Sequence, residues 1–288
     1  VDAGKAYVKG WQVNKPTSTR LNVEKSFDLG KAENESTIFN KSTGSISLAN
    51  SPVKDINRVT GQVLVDKERV TRGSTGDSLD YLSNNTAFEV VRVWTETSPG
   101  QTTKEYKQGE DYRLVDGQSI DWSPGGAEPD GGTSYYVSYK YNKKMEKGTD
   151  YTVTTQGEGL GEKWFINFDT SGGVKPTDQS VVLVDYTYYL ARKDAVILDR
   201  FGEITTVKGE PNIMRLVMPP TATDPEVLQL GTVTVLPNSD SAECLTYAIT
   251  RLSMEDLQNV KTRVENLEYN QAVNALDDEA MEGQNPLT

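Results

Sequence analysis

Apolar and polar residues alternate with a period of two through most of this chain, which predicts β-strands that each bury one face. Tyr7, Val8 and Trp11 form an apolar cluster near the N-terminus. Leu21, Val23, Phe27 and Leu29 then alternate with polar neighbours as a half-buried strand, and Phe88 to Trp94 reads as another. Val59, Val63 and Val65 supply β-branched positions to a strand over 53–70 that breaks at Thr71-Arg72-Gly73. Residues 30–52, rich in Asn, Ser, Thr and Gly, read as a long loop with a small hairpin around Ile46 and Leu48. Ala195 to Leu198 and Ile204 to Val207 flank Asp199-Arg200-Phe201-Gly202 as a hairpin, and Thr232 to Leu236 adds one more strand. At Ser253 the period changes to about 3.6, predicting a helix to about Met281, capped by Ser253 with an acidic first turn at Asp256 and ended by Gly283 and Pro286.

The strand pattern is written twice. Gly109-Glu110-Asp111-Tyr112 recurs as Gly148-Thr149-Asp150-Tyr151, and Pro129 with its following strand recurs as Pro176 with Val182 to Tyr188. Tyr135, Val137, Tyr139 and Tyr141 of the first strand match Val182, Val184, Tyr186 and Tyr188 of the second, so the same apolar face is kept. The expected fold is mainly β, with tandem small antiparallel β-sandwich domains followed by a C-terminal coiled-coil helix. The boundaries read as 1–83 for an N-terminal β-rich region, 84–145 and 146–193 for the two copies, and 194–251 for a β-hairpin and extended region. The helix takes 252–282 and a tail takes 283–288.

Composition narrows the chemistry. Only 35% of the 288 residues are hydrophobic and the formal net charge is −12, which suits thin β-layers and weighs against nucleic acid, whose phosphates need clustered Lys and Arg. No apolar run approaches the roughly 18 residues that span a bilayer, so no membrane insertion is expected. With no histidine and one cysteine, Cys244, disulfide frameworks, Cys/His zinc sites and His-based triads are excluded. Cys244 reads as a small buried hydrophobe. Gly157-Glu158-Gly159-Leu160-Gly161 lies between strands and reads as a turn, and Glu128-Pro129-Asp130 matches no Ca²⁺ loop spacing. Among 42 acidic residues no pair stands out for glycoside cleavage. No catalytic residue, cofactor or metal is therefore assigned; the Tyr-rich strands could present stacking platforms to sugars, but their alternation places most of the rings on the side expected in the core, which is the favoured reading.

The terminal helix carries the candidate interaction residues. Leu257, Val260, Val264 and Leu267 recur at alternating three- and four-residue steps, as a and d positions of a parallel coiled coil do, and Gln271 and Asn274 continue the seam with polar residues. Val264 at a with Leu267 at d favours a dimer. Arg263-Val264-Glu265-Asn266-Leu267-Glu268 resembles instead the Arg-h-x-x-h-Glu pattern (h apolar) of short trimeric coiled coils, in which Arg263 lies over the seam and pairs with Glu268 of the next helix. A single amphipathic helix docked on its own β-domain is the alternative.

Several segments in order resemble tail-fibre and baseplate-associated structural proteins of tailed bacteriophages. They are Gly4-Lys5-Ala6-Tyr7-Val8-Lys9-Gly10, Val70-Thr71-Arg72-Gly73, the Gly-x-Asp-Tyr modules with Tyr-x-Tyr strand ends, Gly209-Glu210-Pro211 and Arg263 to Tyr269. The resemblance implies a virion component built as β-domains before a helical stalk, assembled in the host cytoplasm and acting by assembly and host attachment, not by catalysis; the homotrimer is the expectation from the helix pattern. Its N-terminal region would attach to other tail or baseplate proteins, with a host-surface glycan as a further partner. A host-surface carbohydrate-binding module is the second reading and a depolymerase the third.

Overall fold

The computed structural model describes residues 1–73, 79–123, 125–157, 162–221, 224, 226–247 and 254–282, with side chains of the terminal helix described over 258–275. The chain forms two compact units, Val1–Leu245 and Thr246–Thr288. The fold is mainly β, with several antiparallel sheets.

In chain order the first strands are β1 (Gly4–Val8), β2 (Trp11–Lys15), β3 (Leu29–Ile38), β4 (Ser45–Ser47), β5 (Val53–Thr71) and β6 (Leu79–Tyr81). There follow β7 (Ala87–Ser98), β8 (Gln101–Tyr106), β9 (Arg113–Val115), β10 (Ser119–Asp121), β11 (Ser134–Lys144) and β12 (Thr152–Gln156). The last are β13 (Lys163–Asn167), β14 (Val181–Tyr189), β15 (Arg192–Asp199), β16 (Ile204–Val207), β17 (Val227–Val235) and β18 (Ala242–Thr246), and then the helix α1 (Met254–Glu282).

The largest sheet runs β3-β14-β5-β11-β7-β8, and it corrects the expected tandem arrangement. The two copies share strands. Val184 of β14 pairs with Glu35 of β3 and Val59 of β5, just as Val137 of β11 pairs with Glu68 of β5 and Val93 of β7. Register shifts follow Val184 and Val137 at the same point. One copy is therefore β3, β4, the first half of β5, the end of β11, β12, β13 and β14. The other is the second half of β5, β6, β7, β8, β9, β10 and β11, inserted between two strands of the first. The nineteen residues of β5 are long enough to serve both. The expected boundaries at 83/84 and 145/146 thus cut through a continuous sheet.

Each copy lays a three-stranded sheet over its half of the large one. In β6-β10-β9, Ile120 pairs with Asp80 and Leu114; in β12-β13-β4, Ile166 pairs with Val153 and Ile46. The two cores centre on Val93, Ile120, Trp122, Tyr135, Val137 and Tyr139, and on Val59, Ile166, Phe168, Val182, Val184 and Tyr186, with Tyr141 packed against both. Burying such a side chain contributes about 1.5–3 kcal/mol, which explains why the inward face is apolar in both copies.

Leu29–Ile38 form a ten-residue strand where, from residue 30 on, the sequence predicts loop. Its composition is polar because it is an edge strand with most side chains in solvent. Residues 1–83 also divide. The β1–β2 hairpin packs its Val8 and Val13 against Val196, Leu198, Ile204, Val233 and Val235 of the sheet β16-β15-β17-β18, while β3 to β5 join the repeats. The expected hairpin at 195–207 forms, with Ala195 opposite Val207. Ser253 lies outside the described residues.

Candidate functional site

The ionisable groups of the repeats are used to close turns. In the first copy Gly109, at φ 88°, donates to the Tyr112 carbonyl at 2.7 Å, and Asp111 accepts the backbone N–H of Lys107 at 2.8 Å and of Ala127 at 2.7 Å. In the second Gly148, also at φ 88°, donates to Tyr151 at 2.8 Å, and Asp150 accepts from Glu146 at 2.9 Å and Val174 at 3.0 Å. These N–H bonds hold the Asp111 carboxyl below the ordinary carboxylate range. Burial pushes Asp150 upward, but Lys143 Nζ at 2.8 Å together with the two N–H bonds outweighs it, and its net shift is also down. Both carboxylates are thereby committed to structure.

The copies differ at one end. The second packs Phe39, Ile46, Phe168 and Val182 together, whereas the first places Arg72, Asp80, Trp122 and Tyr135 at the corresponding register. Asp80 accepts from Trp122 Nε1 at 2.8 Å, the Tyr135 hydroxyl at 2.9 Å, the Gly73 N–H at 2.9 Å and Arg72 at 3.4 Å. Arg72 is completed by Glu128 at 2.7 Å, so the carboxylate weighed as a calcium ligand serves an ion pair. Burial alone would lower the Arg72 pKa, but these two carboxylates raise it. Asp116 and Gly117 both take positive φ, as a type I′ turn requires. The Gly157 to Gly161 loop falls outside the described residues from 158 onward.

The strand tyrosines point inward. Tyr135, Tyr139 and Tyr186 are fully buried, and Tyr106, Tyr135 and Tyr112 gather around the Trp122 ring with centroids 5.2, 5.3 and 5.7 Å away. Burial drives the Tyr112 hydroxyl up to about 12. Cys244 departs from expectation: it is exposed on β18, because that strand leaves all five residues in solvent.

The helix seam is the remaining candidate. Val260, Val264 and Leu267 are 51%, 47% and 67% exposed, so in the single chain the a and d residues are not covered. Arg263 and Glu268 are exposed beside them. Lys261 and Glu265 form a pair at 3.6 Å with i,i+4 spacing, worth a few tenths of a kcal/mol, about 0.3–0.5. The Leu257 side chain lies outside the described residues. Tyr269 and Val273, off the expected seam, expose further apolar surface that heptad reading does not find.

Residues 1–288 match a family described as a domain of unknown function (DUF4815). The chain belongs to this DUF4815 family. No match was found among curated proteins or solved structures. Membership spans the strand-sharing repeats, the hairpin-covered sheet and the helix together. Among the described residues no helix is long and apolar enough to cross a membrane, and no cluster of His, Cys, Asp or Glu is arranged to hold a metal.

Proposed function

We propose that this chain is a structural component of a bacteriophage tail, a fibre or baseplate attachment element that acts by assembly and host attachment, without catalysis. The observation that carries the reading is the helix, whose Val260, Val264 and Leu267 side chains expose an apolar seam that a partner helix would bury. Three copies wound in parallel bury it, with Arg263 reaching Glu268 of the neighbour. The β-part fits such a role: each three-stranded sheet and the half-sheet beneath it act as a small sandwich, and shared β5 and β11 join the two so that load on one passes through paired strands to the other.

In this reading the homotrimer is built in the host cytoplasm and resides in the virion tail, touching other tail or baseplate proteins. Mass measurement of the purified protein tests the oligomer: a trimer is expected, and a monomer at micromolar concentration overturns it. An electron-microscopy map of the assembled particle tests the location, and a particle without density for these β-sheets excludes the virion assignment.

A further inference from the structure

Two adjoining clefts line the loop Ser47–Pro52, of about 440 Å³ and 340 Å³, and they share Ala49, Ser51 and Glu162. Together they make one groove between that loop and the segments around Arg215 and Asn238. The loop is fixed from behind: the Ala49 N–H donates to Glu35 at 2.9 Å, and Asn50 donates its backbone and side-chain N–H groups to the Tyr186 hydroxyl at 3.1 Å each. The Tyr189 N–H closes on the Pro52 carbonyl at 3.0 Å. A groove held this way is formed before any ligand arrives.

Its lining has a definite chemistry. Asn50 keeps its side-chain oxygen as an acceptor, and Asn238 with Ser51 adds groups that both donate and accept, the combination that matches sugar hydroxyls. Tyr189 at one end and Phe165 at the other supply ring surface for the C–H faces of pyranose units. Charge then discriminates among sugars. Among the described lining residues Lys163 and Arg215 bring two cations against one carboxylate, Glu162, while Glu35 behind the loop already accepts the Ala49 N–H and the Tyr186 hydroxyl; the chain's formal net charge is −12. A local cation excess on an acidic protein favours an anionic ligand.

We propose that this groove binds an acidic oligosaccharide whose carboxylate meets Arg215 or Lys163 while its rings lie along Tyr189 and Phe165. The inference does not depend on the assembly reading, since a monomer would carry the same groove. A trimer would present it three times and gain avidity.

The test is calorimetric titration of the full chain with a uronic-acid tetrasaccharide and, separately, with the neutral tetrasaccharide maltotetraose. Binding of the acidic sugar alone is expected, and Arg215→Ala and Lys163→Ala, both at exposed positions, should each weaken it about tenfold or more. An unchanged melting temperature in both variants shows that the fold is intact. Absence of binding at millimolar sugar, equal affinity for the two sugars, or binding indifferent to both variants overturns the inference. Oligomer mass is read on the same samples, so failure of the groove and failure of the trimer are seen separately.

Discussion

Tyr186 donates its hydroxyl to Glu35 at 2.5 Å across the β14–β3 pair. Tyr139 stands in the same relation to Glu68 at 2.5 Å across β11 and β5, and Asn50 and Asn84 donate to the two hydroxyls at 3.1 and 2.8 Å. The bond repeats because the strand register repeats. Each ring is buried to the hydroxyl, so removing the hydroxyl leaves a carboxylate and an amide short of a partner. Tyr139→Phe and Tyr186→Phe should each lower stability by about 1–3 kcal/mol. The double variant should be additive within about 0.5 kcal/mol, because the pairs share no partner. Denaturant unfolding of the three variants measures this, and a large coupling would show that the two halves of the sheet sense each other through β5.

Acid should act through two turn aspartates and one in strand β14. Asp111, Asp150 and Asp185 have carboxyls held below their ordinary value, chiefly by backbone N–H bonds from Lys107 and Asn34 in the first and third and by Lys143 with two N–H bonds in Asp150. A depressed folded-state pKa stabilises the protein fully above the unfolded value, about 3.9, and this contribution is lost as pH falls through the lower folded value. Stability should therefore hold from neutral pH to about 4 and decline below it. In Asp150→Asn the decline should be shallower and the neutral stability lower, and melting temperature against pH reads both.

The duplication was legible because Asp111, Tyr112, Asp150, Tyr151 and the alternating strand faces are local signals. The way the copies interlock was not, since strand sharing is set by which edges pair, and both pairing partners of β5, the strands β11 and β14, lie far beyond it in sequence. β3 leaves little mark in the sequence for a physical reason: as an edge strand it needs few apolar residues, and Asn34 at φ 52° with its N–H on Asp185 makes a bulge that reads as turn composition. Cys244 differs from the sequence expectation because its type is usually buried, whereas β18 exposes it. Of the candidate site, the heptad spacing was visible in the helix, while the groove at Asn50, Tyr189 and Arg215 gathers residues from distant segments and left no local signal.

Two glycines should behave as a matched pair. A Cβ at Gly126 would strike the Glu110 carbonyl and one at Gly173 the Thr149 carbonyl, the same contact in each copy. Gly126→Ala and Gly173→Ala should each cost about 1–3 kcal/mol. Gly4→Ala, in open space, should cost little. Melting temperatures of the three variants test the equivalence of the turns.

The buried network of the first copy allows a transplant. Removing Asp80 leaves Arg72 with only Glu128 and strips an acceptor from Trp122 and Tyr135, so Asp80→Ala should cost about 3–5 kcal/mol. The double change Arg72→Phe with Asp80→Ile copies the Phe39 and Ile46 pair of the second copy. It should recover part of that loss, because it removes the stranded cation although the Tyr135 hydroxyl stays unpaired. Denaturant midpoints of the single and double variants decide, and a double variant no more stable than Asp80→Ala would show that the two ends are not interchangeable.

The helix offers the sharpest test of assembly. Val264 and Leu267 are exposed in one chain and would become central in a trimer, so Leu267→Asp should convert trimer to monomer while the far-ultraviolet β-sheet signal persists. The Arg263 and Glu268 pairing separates trimer from dimer. If Arg263 covers the seam of a three-stranded coil, Arg263→Ala should weaken association by removing both the stem's packing and the charge-assisted bond, about 1–3 kcal/mol per interface. Glu268→Gln, which keeps the hydrogen-bonding shape and loses the charge, should weaken it less. Sedimentation equilibrium across a range of protein concentrations measures each effect. A wild-type dimer would leave Val at a and Leu at d as the governing preference, whereas a trimer that loses affinity in the order Leu267→Asp, Arg263→Ala, Glu268→Gln would assign the geometry to the arginine.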